Sequence, residues 1–264
     1  MSSFDLTDRV AIVTGGSQGL GKATALALAG AGANVAIIAR EPEPVTDGRS
    51  RPHEPVEPVV DEINAMGRRA IGVTADVRDE GQVAQMVADT LEAFNRIDIL
   101  VNVVGGSWGE TFRAGPLMEL RPHDLIEAYR VNVLTMFQCS QAVAPIMKRQ
   151  GKGAIINIAS GAGRRASPNS AAYGAAKAAV INMSMTMSVE WAPEIRVNSI
   201  AVGGIETPHR PRWAEEVPLA ENPVVGPLGR LGTPEEHAGT VLWLASDYGG
   251  YITGTVIDAN GGRQ

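Results

Sequence analysis

The sequence holds one cysteine, Cys139, in 264 residues. No intrachain disulfide can form, so nothing points to a secreted, stapled fold. Positive charge is not in excess: Lys+Arg is 23 against Asp+Glu 29, a net charge of −6. With a pI near 5.3, binding to nucleic acid or to an anionic membrane is not expected. No apolar run approaches the ~18 residues that a spanning helix needs. The first residues, MSSFDLTDRV, carry acids and lack a basic-then-apolar leader pattern. A cytoplasmic protein is expected. Glycine is plentiful, 30 residues in 264, but follows no period.

What is present is globular. Apolar residues make up 44% and charged residues 20%, enough to build a large core. Seven short β-branched runs punctuate the chain: Val10–Val13, Asn34–Ala39, Ala70–Thr74, Ile97–Val101, Ala154–Ile158, Arg196–Val202 and Thr255–Asp258. They lack strict polar alternation, as expected of strands buried on both faces of a parallel sheet. Between them, helical spacing runs over Gly19–Ala31, Pro58–Met66, Glu80–Phe94, His123–Arg149, Ala171–Trp191 and Pro234–Ala245. Alternating strands and helices predict an α/β, doubly wound, Rossmann-like parallel sheet of about seven strands with helices on both faces. No linker divides it, so residues 1–264 form one domain.

Two segments break the rhythm. Glu41–Val59 contains Pro42, Pro44, Pro52, Pro55 and Pro58, with His53 and several charges, and reads as an exposed loop or insert. Ile205–Pro227 is also rich in proline and charge and reads as a lid. Within it Arg210 and Arg212 could meet a carboxylate, or be solvated beside Glu215 and Glu216. Trp108, Phe112 and Trp213 fall in loops near the expected mouth. They suit either an apolar or cyclic substrate or plain packing.

The first strand runs into Thr14-Gly15-Gly16-Ser17-Gln18-Gly19-Leu20-Gly21 and then a helix. Glycines at 15, 19 and 21 permit a tight turn and close approach of backbone to a phosphate. The helix N-terminus would present N–H groups to a pyrophosphate. The same residues would also make an ordinary glycine-rich turn. Arg40, Asp76, Asn102 to Gly105, Ser160 and Gly203 each follow a strand, at the edge where open α/β sheets bind ligands. Tyr173 and Lys177 share one helical face, and Ser160 ends the strand before that helix. An ammonium beside a phenol lowers the phenol pKa from its usual value near 10, which suits proton exchange with a substrate oxygen.

In these residues the chain resembles the short-chain dehydrogenase/reductase family, in its shorter branch with T-G-x-x-x-G-x-G and Y-x-x-x-K. The resemblance runs from about Arg9 to Gly262. It includes Asp76-Val77, Leu100-Val101-Asn102, Arg130-Val131-Asn132-Val133, Ala159-Ser160, Arg196-Val197-Asn198, Thr207-Pro208 and Asn260-Gly261-Gly262. The resemblance implies Tyr173 as general acid/base, with Lys177 on the nicotinamide ribose and lowering the Tyr pKa. It implies Ser160 on the substrate oxygen and Asn132 on a relay water. Gly15, Ser17, Gln18, Gly19, Leu20 and Gly21 would line the cofactor phosphates, and Asp76 and Val77 the adenine. Asn102 and Gly105 would meet the adenosine ribose side, and Gly203, Ile205 and Thr207 the nicotinamide side. No metal ligands are implied.

Two departures stand out. Asn102-Val103-Val104-Gly105 replaces the usual N-N-A-G, and Val202 replaces a proline before Gly203. The acid that NAD-preferring relatives carry at the end of strand two is Ala39 here, and Arg40 follows. Arg40 would pair with a 2′-phosphate, which predicts NADP. Otherwise it stacks on adenine or points to water, Glu41 or Glu43 supplies the acid, and NAD is used. The expected activity interconverts a ketone or aldehyde and its alcohol. An inactive cofactor-binding regulator is the alternative of a different class. In Ala171–Trp191 only Lys177 and Glu190 are charged, and Leu125–Met147 is similar. Helices so apolar all round suggest packing against another subunit, and the resemblance implies a dimer or tetramer.

Overall fold

A computed structural model describes residues 4–41, 54–106, 112–206 and 225–263. Seven strands form one sheet: β1 (Val10–Thr14), β2 (Asn34–Ala39), β3 (Ala70–Thr74), β4 (Ile99–Asn102), β5 (Gly153–Ser160), β6 (Ile195–Val202) and β7 (Val256–Ala259). Their order is β3-β2-β1-β4-β5-β6-β7, and every adjacent pair is parallel. The order reverses between β1 and β4, which opens a crevice at the carboxyl ends of the strands.

Strand periodicity divides the core into two layers. Ile12, Leu100 and Ile155 face one layer, where α3 (Glu80–Phe94), α5 (Thr135–Gln150) and α6 (Ala171–Glu190) contribute Met86, Val143, Met147 and Val180. Ala11, Val13, Val101 and Ile156 face the other, where α1 (Gly19–Gly30), α2 (Glu57–Ala65) and α7 (Pro234–Ala245) contribute Leu28, Ile63, Val241 and Leu244. Local chemistry sets the helix ends. Asp79 accepts a hydrogen bond from the Gln82 N–H at 2.9 Å and starts α3. Thr233 and Glu236 form a capping box at α7.

The structure corrects several expected bounds. β4 begins at Ile99 rather than Ile97, because the Asp98 carboxylate accepts the Val10 N–H at 2.9 Å and is held by Arg96. The long helix expected over His123–Arg149 is three pieces: α4 (Pro122–Tyr129), a π turn at Arg130–Leu134, and α5. The Asn132 side chain donates to the Ala128 carbonyl at 2.9 Å, the acceptor that the amide of residue 132 would take in an α-helix. The insert is also shorter than expected at its far end. Pro58 sits in the first turn of α2, where a missing N–H costs nothing. Val56 and Val59 are buried in the core rather than exposed. Residues 42–53 lie outside the described residues, with Pro42, Glu43, Pro44, Pro52 and His53.

A buried polar chain crosses the sheet. The Asn102 amide donates to Ser140 Oγ at 3.0 Å and Asn157 Oδ1 at 2.8 Å. Asn157 in turn donates to Ser184 Oγ at 2.8 Å. β4 and β5 are thereby tied to α5 and α6. No helix among the described residues is long and apolar enough to cross a membrane.

Candidate active site

The carboxyl ends of β1 and β4 are joined through one hydroxyl. Thr14 Oγ1 accepts the Val103 N–H at 3.1 Å and lies 3.4 Å from the Val104 N–H and the Val101 carbonyl. This is how the loop accommodates Val103 and Val104. Gly15 has φ +66°, the left-handed region that glycine enters without strain. A Cβ on Gly21 would collide with the Gly15 carbonyl, so the first turn of α1 lies directly against the loop. Gln18 precedes α1 in an extended conformation with no side-chain cap, and no acid occupies the first turn. An uncapped, acid-free N-terminus beside a glycine cradle suits an anionic phosphate. Ser17 and Leu20 are both buried, and Leu20 belongs to the core.

Ala39, Arg40 and Asp76 come together at the ends of β2 and β3, where the Ala75 N–H donates to the Ala39 carbonyl at 2.8 Å. Arg40 and Asp76 are both half-buried. Burial disfavours the Asp76 carboxylate, but side-chain and backbone hydrogen bonds from Arg78 outweigh it. With the charge of Arg40 added, the carboxyl is held below its usual range. Arg78 grips both Asp76 oxygens. It was not among the residues expected here, and its only sequence signal is its place two residues after Asp76. Val77 is packed in the core beside Val83. Asn102 stands at the end of β4 as expected, but its amide is turned into the polar chain inside the sheet. Its Oδ1 has no hydrogen-bond partner among the described residues.

The expected catalytic residues gather at the ends of β5 and α6. Ser160 ends β5, and its Oγ accepts the Ala162 N–H at 3.2 Å. The following 3₁₀ turn, Gly161–Gly163, lies flat on α6. A Cβ on Gly163 would sit 2.6 Å from the Lys177 carbonyl carbon, and one on Gly174 would sit 2.9 Å from the Ala162 oxygen. These two glycines, also absent from the expected set, bring Ser160 onto the turns that carry Tyr173 and Lys177. The Lys177 Nζ donates to the Ile158 carbonyl at 2.8 Å and lies 5.8 Å from the Tyr173 ring centroid. Opposite it is Gly105, where a Cβ would lie 2.9 Å from Lys177 Nζ and 2.6 Å from Asn132 Oδ1. Asn132 spans the gap, accepting from the Gly106 N–H and donating to the Gly106 carbonyl, each at 3.1 Å. The π turn thus delivers Asn132 to Lys177.

Gly203 follows β6 and donates to the Ala259 carbonyl at 3.0 Å, and Ile205 forms a bridge to Gly232. Phe112 is buried in the core rather than open to a substrate. Thr207, Trp108, Arg210, Arg212, Trp213, Glu215 and Glu216 lie outside the described residues, as does all of the expected lid except Ile205, Glu206 and residues 225–227.

Known proteins resemble this chain over nearly its whole length. A family model described as enoyl-(acyl carrier protein) reductase matches residues 15–264. The chain is 39% identical to a 3-oxoacyl-[acyl-carrier-protein] reductase of Synechocystis, covering 97% of each chain. It is 38% identical to a (2S)-[(R)-hydroxy(phenyl)methyl]succinyl-CoA dehydrogenase subunit of Thauera aromatica, covering 98% of each.

The chain belongs to the short-chain dehydrogenase/reductase family. It is an oxidoreductase of that family, acting on CH–OH or keto groups. A solved short-chain dehydrogenase/reductase relative is 7α-hydroxysteroid dehydrogenase complexed with NADH and 7-oxo glycochenodeoxycholic acid. It superposes with a TM-score of 0.82 at 29% identity, over 98% of this chain and 95% of that one. The family uses a nicotinamide cofactor. The glycine cradle and the uncapped α1 terminus fit its phosphates.

Burial alone lowers the Lys177 pKa from 10.5 to about 8. The unfolded chain therefore holds this proton at pH values where the fold has released it. Between about pH 8 and pH 10.5 the contribution of Lys177 to stability rises with pH, and below pH 8 its charge costs the fold up to about 3 kcal/mol. Thermal unfolding without cofactor, compared for Lys177→Met and its parent in a Tyr173→Phe background, checks this. The variant's advantage should be largest at pH 7 and shrink by pH 10; a gap independent of pH would contradict it.

Proposed function

We propose that the protein is an NADP(H)-dependent oxidoreductase that interconverts a ketone or aldehyde and its alcohol, with Tyr173 as general acid/base. The observation that carries this reading is the buried Lys177 ammonium, anchored by Ile158 beside the Tyr173 ring, with Asn132 Oδ1 bordering the same glycine, Gly105. A cation in that place favours the phenolate over the phenol and brings the proton within reach at near-neutral pH. When bound, the nicotinamide supplies the hydride chemistry. In the reducing direction Tyr173 would give its phenol proton to the carbonyl oxygen. In the oxidising direction its phenolate takes the hydroxyl proton. Ser160 donates its O–H to the same oxygen and orients it, while its Oγ accepts from Ala162. Lys177 also offers N–H donors to the nicotinamide ribose, and Asn132 holds a water between Lys177 and solvent. The relatives' names speak of 3-oxoacyl, hydroxy(phenyl)methyl and 7-oxo groups, all ketones or secondary alcohols. Arg40 at the end of β2, with Ala39 in place of an acid, supports NADP over NAD.

The same reading carries an assembly. Leu125, Ile126 and Tyr129 of α4, Leu134 of the π turn, and Met185 and Val189 of α6 are exposed. Such a patch on neighbouring helices suits a second copy of the chain. Sedimentation at micromolar concentration should give a dimer or tetramer, and a monomer would overturn this.

Tyr173→Phe should lower turnover on the order of 10²–10⁴-fold and leave cofactor affinity nearly intact. Steady-state kinetics with a panel of carbonyl compounds, alongside cofactor titration, reads both quantities. Near-normal turnover in the variant would sink the assignment. A parent protein that binds cofactor and turns nothing over would instead favour a regulator.

Arg40→Ala tests the cofactor. Loss of a charge-assisted contact to the 2′-phosphate should weaken NADPH binding by about 10- to 150-fold and leave NADH within a factor of two. Dissociation constants for both cofactors decide it. Tighter NADH than NADPH binding by the parent protein would refute the choice of NADP.

A further inference from the structure

Directly after Ser160 and its 3₁₀ turn come two arginines, Arg164 and Arg165, and the C-terminal segment brings a third, Arg263. One acid serves the group: Asp258 Oδ1 lies 3.5 Å from Arg164 Nε. Arg165 is placed differently. Its Nη1 donates to the Arg263 carbonyl at 3.0 Å and would lie 2.9 Å from a Cβ on Gly161, so the guanidinium rests on the residue next to Ser160. A neutral carbonyl fixes its position without neutralising it, and among the described residues no carboxylate forms an ion pair with it. Burial and then the charge of Arg263 lower the Arg165 pKa, and the negative charge of Asp258 offsets them only in part.

The position matters because of what it borders. Arg165 follows β5 and Arg263 follows β7, so their clasp spans the carboxyl edge across β6. The chain returning from residues 207–224 also docks on this edge, through the Leu228 N–H and the Gly261 carbonyl at 3.1 Å. The Arg165 guanidinium therefore sits at the residue that follows Ser160, the side chain to which the proposed function assigns the substrate's carbonyl oxygen.

We infer that Arg165, assisted by Arg263, is a specificity-determining site for an anionic group, carboxylate or phosphate, carried by the substrate at a distance from its reacting carbonyl. The inference rests on the hydride-transfer reading for the placement of the carbonyl, but its binding test does not require turnover. A planar guanidinium held from one side presents its remaining N–H groups as a fork to such oxygens. Arg164 is engaged with Asp258 and is the built-in comparison.

The test is equilibrium binding to the cofactor-loaded protein by titration calorimetry. The probes are 3-benzoylpropionate, its methyl ester, and 4′-phosphopantetheine as the phosphate source. The parent protein should bind at least one anion 10-fold or more tightly than it binds the ester, and which anion wins identifies carboxylate or phosphate. Arg165→Met should cost that anion about 10- to 150-fold and leave the ester within a factor of two. Arg165→Lys should restore part of the loss, and Arg164→Met should change little. Binding of acid and ester with equal affinity, no binding of any probe, or equal loss of acid and ester in Arg165→Met would each overturn the proposal. The last result would mark Arg165 as a structural clasp. An intact anion preference without reduction of 3-benzoylpropionate or of any panel ketone would leave this site standing and count against the hydride-transfer reading.

Discussion

A wholly buried ammonium needs a partner, and for Lys177 the described partner is one backbone oxygen, that of Ile158. The carbonyl belongs to β5, two residues before Ser160, so the bond locks the register between the strand that ends in Ser160 and the helix that carries Tyr173. Without it the ammonium would lose the one hydrogen bond described for it, while its desolvation remained. Everything else at the site is compatible with that contact or serves it. Gly163 and Gly174 let the 3₁₀ turn lie close enough to α6 for a four-carbon stem to reach back to β5. Gly105 leaves space above Nζ, and the π turn fills the remaining side with the Asn132 amide.

The sheet beneath is held in the same manner. Asn102, Asn157, Ser140 and Ser184 replace apolar contacts with a directional chain between two strands and two helices. Each amide of the chain meets a directional partner, so the chain favours one alignment of α5 and α6 against β4 and β5. α5 follows the π turn that carries Asn132, and α6 carries Tyr173 and Lys177. The alignment of these helices is therefore the alignment of the site.

How much of this was legible depends on whether its cause was local. The seven β-branched runs declared buried parallel strands because both faces are covered, and the Tyr173–Lys177 pair declared a shared face because helical geometry is short-range. The π turn was not legible. Asn132 is held by Gly106 in a loop far earlier in the chain, and nothing in Arg130–Leu134 itself announces the change of register. The inward bonds of Asn102 were hidden for a similar reason: its partners Ser140 and Asn157 are brought in by the fold, so they have no local sign. Val56 and Val59 were hidden by composition, since surrounding proline and charge outweighed two apolar residues that the core requires. Phe112 was ambiguous between mouth and core, and packing decided it.

Charge distribution adds a last constraint. The chain carries a net charge of −6, yet the carboxyl edge of its sheet gathers Arg40, Lys177, Arg165 and Arg263. Two acids at that edge are paired with arginines, Asp76 with Arg78 and Asp258 with Arg164. With a net negative charge overall, cations gathered at one edge supply a local attraction for small anions. Parallel strands make this arrangement possible, because each loop that follows a strand opens onto the same edge. A phosphate-bearing cofactor and an anionic substrate would both be drawn to that edge, the one along β1 to β3 and the other along β5 to β7. Between the two lies Lys177, whose own charge is kept beside the phenol by a single carbonyl.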